Sequence, residues 1–141
     1  MVLEWDGDQV KAKMRRAQAE GINSTMAGSA VHAKRNHAWR NQTGTLEGSL
    51  DVVEFATPDG KGQISGVWGS RDVRYARIQE LGGTIRPVNA KALFIPDAAG
   101  GIAAVVQEVT IPARPYLRPA ADAVYPTLAK RIRQAFERAG T

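Results

Sequence analysis

"LDVVEFATPDGKGQISGVWGS" (residues 50–70) decides the fold class. Its first eight residues are rich in β-branched and aromatic side chains, which suit a half-buried pleated strand. "PDGKG" (58–62) concentrates proline, aspartate and glycine, the residues that tight turns use. "QISGVWGS" (63–70) then reads as the returning strand. Two strands joined by so short a link must be antiparallel. Gly66 inside the second strand points to a bulge or to another group coming close to the backbone.

Working outward, the segment before the hairpin is helical. From Asp8 to about Ala38, the residues Val10, Met14, Ala17, Ile22, Met26, Ala30 and Ala33 recur at helical spacing. Asp6 or Asp8 serves as a cap for the first amides. Gly21 predicts a break, and the small run Ala27-Gly28-Ser29-Ala30 invites close approach of another backbone. "TGTLEGSL" (43–50) predicts a short helical turn leading into the strand. After the hairpin, "RDVRYARIQELGG" (71–83) predicts a short helix capped by Asp72 and ended by Gly82-Gly83. "KALFIP" (91–96) and "IAAVVQEVTI" (102–111) predict a second hairpin. Pro112, Pro115 and Pro119 forbid a continuous helix or ladder through residues 111–120. The last segment, from Ala120 to Ala139, is helical, with Val124, Leu128, Ile132, Ala135 and Phe136 on one face. Lys130, Arg131, Arg133 and Arg138 face water, and Pro126 stands in the first turn.

The expectation is an α+β fold: a small antiparallel sheet of two hairpins, packed by a long N-terminal helix, a short middle helix and a C-terminal helix. The 141 residues read as a single domain, 1–141, made of an N-terminal helical segment (1–40) and an α+β core (43–141).

The chemistry is read mainly by elimination. With no cysteine there is no disulfide, thiolate metal site or cysteine nucleophile. His32 and His37 are five residues apart, about 140° around a helix, and do not share a face as a metal pair would. No spacing matches a phosphate loop, a dinucleotide fingerprint or a nucleophile elbow. No apolar run reaches the ~20 residues of a membrane span, and the acidic start is unlike a signal peptide. The expectation is a non-enzyme with no catalytic, cofactor-binding or metal residues and no membrane partner. The net charge of +5 sits at the two ends of the chain. A surplus of this kind suits nucleic acid or acidic partners, but also ordinary solvated helix faces. Trp5, in a polar setting, is a candidate intersubunit anchor.

Four stretches in order carry a further signal: "TGTLEGS" (43–49), "YARIQELG" (75–82), "IRPVNAKALFIP" (85–96) and "IPARPYLRPA" (111–120), followed by an amphipathic terminal helix. Together they resemble the neck, or tail-completion, protein family of long-tailed bacteriophages, also described as head–tail joining or virion morphogenesis proteins. That family has a Thr-Gly-x-Leu-x-x-Ser segment before a hairpin, then a Tyr-Ala-x-x-x-Glu-x-Gly helix. An Ala-Arg-Pro-aromatic stretch introduces its last helix. The likeness covers residues 43–141, and Leu81 departs from it where the family has an aromatic.

The resemblance implies a structural virion protein that forms a homo-oligomeric ring, hexameric or dodecameric, at the head–tail junction. Its partners would be head adaptor and portal-side connector proteins, and tail terminator or tail tube proteins. DNA would pass through the ring without sequence-specific binding, and assembly would take place in the host bacterial cytoplasm. A tail terminator capping the tube is the alternative of the same kind. A small basic nucleic-acid-binding module is the alternative of another.

The motif residues are Gly44, Leu46, Tyr75, Glu80, Gly82, Arg114, Pro115 and Tyr116. Gly44 and Gly82 read as backbone devices. Arg114, held extended by Pro115, reads as a clamp, with Glu80 as its partner. Arg114, Arg118 and Trp5 are the candidates for contact with a neighbouring subunit or partner.

Overall fold

A computed structural model describes residues 6–37, 44–58, 62–73, 75–96 and 99–139. It is a mixed α+β fold. The long N-terminal helix packs on a small antiparallel sheet and on the C-terminal helices. The chain divides into two compact units: Met1–Val73 with Tyr116–Thr141, and Arg74–Pro115. The second is thus inserted into the first, so the subdivision differs from the 1–40 and 43–141 expected.

In the first unit, helix α1 (Gly7–Arg35) runs unbroken through Gly21. The side chain of Asp6 accepts from the amide of Gln9 and caps it. Its buried stripe consists of small residues: Ala17, Ala19, Gly21, Thr25, Ser29, Ala30 and Ala33, with Met26 the one long side chain. Thr25 and Ser29 are buried without cost in unmade hydrogen bonds, because each hydroxyl donates to the carbonyl four residues back (2.7 and 2.8 Å). This stripe lets α5 (Leu128–Arg138) come close. At Gly21 an added Cβ would overlap the Ile132 side chain and lie 3.0 Å from the Ile132 Cα and N. Gly21 therefore relieves contact and does not break the helix.

Helix α2 (Thr45–Ser49) leads into β1 (Leu50–Glu54), which pairs antiparallel with β2 (Val67–Ser70). The ladder slips between Val52 and Glu54. The freed carbonyl of Val53 accepts from Arg71 Nη2 at 3.0 Å. Asn23 binds the chain just past β1 as a neighbouring strand would: its Nδ2 donates to the Ala56 carbonyl (3.0 Å) and its Oδ1 accepts from the Ala56 amide (2.7 Å). A Cβ at Gly66 would meet Met26 and the Glu54 carbonyl, so the close approach expected there is present.

The C-terminal part is two helices, not one. Helix α4 (Leu117–Val124) contains Pro119 in its first turn, where a missing amide hydrogen is harmless. Pro126 lies in a 3-10 turn, Tyr125–Thr127, which separates α4 from α5. Arg131, expected in water, is half-buried. It donates to the Thr127 hydroxyl (2.8 Å) and to the Ser24 hydroxyl (2.7 Å), tying α5 to α1.

In the second unit, α3 (Ala76–Leu81) is followed at once by β3 (Gly83–Ile85). The expected strand 102–111 is two strands with different partners. Strand β5 (Ile102–Val106) pairs with β4 (Leu93–Pro96), and β6 (Val109–Ile111) pairs with β3. The described strands therefore make three separate two-stranded ladders and not a single four-stranded sheet.

Candidate functional site

The family-like residues fall in both units and act mainly on the backbone. Gly44 has φ 71° and opens α2; Leu46, two residues on, is buried. Tyr116 is 1% exposed, the first residue of the returning first unit, and its hydroxyl lies 3.0 Å from Ser70 Oγ. A tyrosine can fill a core and still satisfy its oxygen in this way. Arg118 is exposed in the first turn of α4. Trp5 and Trp39 lie outside the described residues.

In the second unit Tyr75 precedes α3 and is the residue that stands at its N-cap. Asp72, expected there, instead has φ 58°, a left-handed conformation uncommon for a side-chain-bearing residue. Gly82 has φ 69°, and a Cβ on it would collide with the Ala113 amide and the Ile111 carbonyl. The chain leaving β6 thus passes directly over the end of α3. Arg114 does clamp this crossing, but through its main chain: its amide donates to the Gln79 carbonyl at 2.8 Å. The ion pairs among the described residues are His37–Glu47, Arg86–Glu108 and Arg138–Glu20. The expected Glu80–Arg114 pair is not one of them. Arg114 is an exposed side chain and Glu80 a half-buried one.

Among the described residues no three His, Asp or Glu side chains gather as a metal site would require. No helix among them is long and apolar enough to cross a membrane. His37 stands 3.3 Å from Glu47 and links the end of α1 to α2. A basic hollow of about 210 Å³ between α1 and α5 is lined by Lys130, Arg131 and Arg138. Two of its three cations are committed within the fold, Arg131 to Ser24 and Thr127, and Arg138 to Glu20.

The distribution of apolar surface is more informative than any polar cluster. All thirteen buried hydrophobic residues among those described belong to the first unit. The second unit has no buried residue among those described, yet it carries eight of the fourteen exposed large hydrophobic side chains. Val88 is 92% exposed, Leu81 64%, Ile102 62% and Phe94 61%. Small ladders with no core are marginal in water on their own, and a concentration of apolar surface marks a contact site. The sequence signal was visible in "KALFIP" and "IAAVV", read as strands of the second hairpin, whose described strands carry no charge.

Searches with the chain against protein-family models, curated proteins and solved structures match nothing.

Proposed function

We propose that this chain is a non-enzymatic structural protein of the neck of a long-tailed bacteriophage. In this reading it assembles in the host cytoplasm into a ring that joins the DNA-filled head to the tail and lets DNA pass. Its partners are further copies of itself, the head adaptor or portal-side proteins and the tail-side proteins. The observation that carries the reading is the unequal division of apolar surface. One unit owns the whole described core, and the other is built of uncovered ladders. A unit of that kind is stable when other chains cover it, which is the working condition of an assembly protein. The order of the four family-like stretches supports the same reading.

The test is the solution mass of the purified protein, imaging of any assembly, and complementation of heads and tails lacking this component. Rings with an open centre that join tails to filled heads are expected. A strictly monomeric protein that also fails to join them refutes the proposal. Binding to the tail tube in place of the head adaptor would make it a tail terminator. Steeply salt-dependent binding of the isolated chain to duplex DNA would favour a nucleic-acid module.

A further inference from the structure

The ribbon of β4 and β5 breaks the rules for a ribbon facing water. Its register sets Phe94 opposite Val105 on one face and Leu93 opposite Val106 on the other. Phe94 and Val105 are 61% and 57% exposed, while Leu93 and Val106 are half-buried. Ile102, where the register slips, is 62% exposed. A solvated face of an antiparallel pair normally alternates to polar residues. Free edges are normally guarded by charge. Neither strand contains a charged residue. The result is an apolar ridge with Phe94 and Val105 at its crest.

The first unit carries an apolar groove of about 180 Å³, lined by Ile22, Met26, Gly66, Trp68, Tyr125 and Leu128. Trp68 Nε1 donates to the Tyr125 hydroxyl at 2.9 Å, which satisfies the indole N–H, and the Thr25 hydroxyl that also lines the groove donates to the Gly21 carbonyl. What remains for an occupant is mainly hydrocarbon and ring face, with the Tyr125 O–H left to donate. The volume is below the ~300 Å³ at which small-molecule pockets begin. It suits one large side chain of a protein partner.

We propose that the Phe94–Val105 ridge of one copy seats in the Trp68–Tyr125 groove of the next. A second copy is the occupant because the chain carries both an apolar ridge and an uncharged socket of side-chain size. Neither surface bears a charge that would select a different protein. Ridge and groove are different patches, so the contact is head-to-tail and repeats around a ring, where a self-complementary patch would stop at a dimer. Closure into a ring rests on the function proposed above; the contact itself does not. The exposed parts of Phe94, Val105 and Ile102 amount to the order of 200–300 Å². A stable complex buries ~800 Å² per partner. The pairwise contact is therefore weak, and it becomes strong when every copy makes two and the ring closes.

The absence of native cysteine makes the test direct. Full-length Val105→Cys and Ile22→Cys proteins, each checked for helical content, are mixed at micromolar concentration and mildly oxidised. The expected product is the mixed disulfide, formed at least tenfold more than either self-linked dimer. Adding Phe94→Asp to the ridge partner is expected to cut its yield by a similar factor. If one substitution impairs folding, Phe94→Cys with Leu128→Cys replaces that pair. Self-linking of Val105→Cys as efficient as mixed linking overturns the proposal in favour of ribbon-to-ribbon pairing. Oligomers seen by light scattering with neither mixed pair linking overturn the docking and leave the ring reading standing. A monomer with no linking overturns the docking, and the ring reading falls with it when the protein also fails to join tails to filled heads.

Discussion

Gly21→Ala sets two effects of opposite sign against each other. Gly21 is in the middle of a 29-residue helix. On helix propensity alone, alanine stabilises it by about 0.8–1.0 kcal/mol. Against that stands α5. The new Cβ would overlap the Ile132 side chain and lie 3.0 Å from Ile132 Cα and N, where ordinary contact begins at 3.4 Å. Ile132 is β-branched and has one favoured rotamer on a helix, so its side chain does not turn away easily. The neighbouring atoms that must move include main chain, so α5 itself has to shift by several tenths of an ångström. Overpacking of this kind costs roughly 1–3 kcal/mol. The net expectation is destabilisation by about 1 kcal/mol, which lowers the urea midpoint by ~0.3–1 M.

Gly28→Ala is the internal comparison. Its new Cβ meets Arg131 Nη2 at 3.1 Å and Val124 Cγ1 at 3.3 Å, both side-chain ends. The Arg131 bonds to Thr127 and Ser24 run through Nε and Nη1 of the same rigid guanidinium, so relief at Nη2 comes from a tilt of the whole group by a few tenths of an ångström at the end of a flexible side chain, within the tolerance of those bonds. Gly28→Ala is expected to be neutral to stabilising by up to about 1 kcal/mol. Urea unfolding followed by far-ultraviolet dichroism reads both variants. A Gly21→Ala midpoint raised as far as that of Gly28→Ala refutes the reasoning, because α5 would then not be limited by contact at residue 21.

Gly82→Ala combines a left-handed φ with backbone collision and is expected to cost at least about 2 kcal/mol, whereas Gly44→Ala, with open space around it, costs only the ~1–2 kcal/mol of the conformation. Hydrogen exchange distinguishes the two, since loss of protection after Gly82→Ala is expected to concentrate in residues 75–115. Tyr116→Phe, which removes one hydrogen bond to Ser70, is expected to lower stability by about 1 kcal/mol, and Tyr116→Ala by roughly 3–5 kcal/mol, both read as urea midpoints. Double replacement of Arg86 and Glu108 by alanine is expected to shift the midpoint by no more than the equivalent of about 0.5 kcal/mol, because both side chains are more than half exposed; a larger fall would contradict that.

The elements legible in the sequence are those set by local chemistry. The first hairpin followed from strand composition on both sides of a proline–glycine turn, and α1 from its spacing and the Asp6 cap. Gly82 and Gly44 were read as positive-φ devices, and both are. The misreadings lie where tertiary partners decide. "IAAVVQEVTI" is uniformly strand-forming, and nothing local shows that it changes partner around Gln107 and Glu108. The close helix contact was expected near Gly28, but α5 backbone meets α1 at Gly21, seven residues earlier on the same face. Arg114 was assigned a side-chain clamp because guanidinium chemistry is conspicuous in a sequence, whereas a main-chain amide leaves no mark there. Trp68 and Tyr125, 57 residues apart, form a groove that no spacing rule could connect.

The bond between Ser70 and Tyr116 has a consequence for how this chain can change. Ser70 stands four residues before the inserted unit begins, and Tyr116 is the first residue after it ends. The two roots of the insert are thereby fastened together inside the host fold. Whatever is strung between them can be lengthened, shortened or exchanged while the host keeps its core, since none of the described buried hydrophobic residues is lost with it. The junction works as a graft point: the host supplies folding stability, and the segment grafted onto it is free to diverge with whatever it must grip.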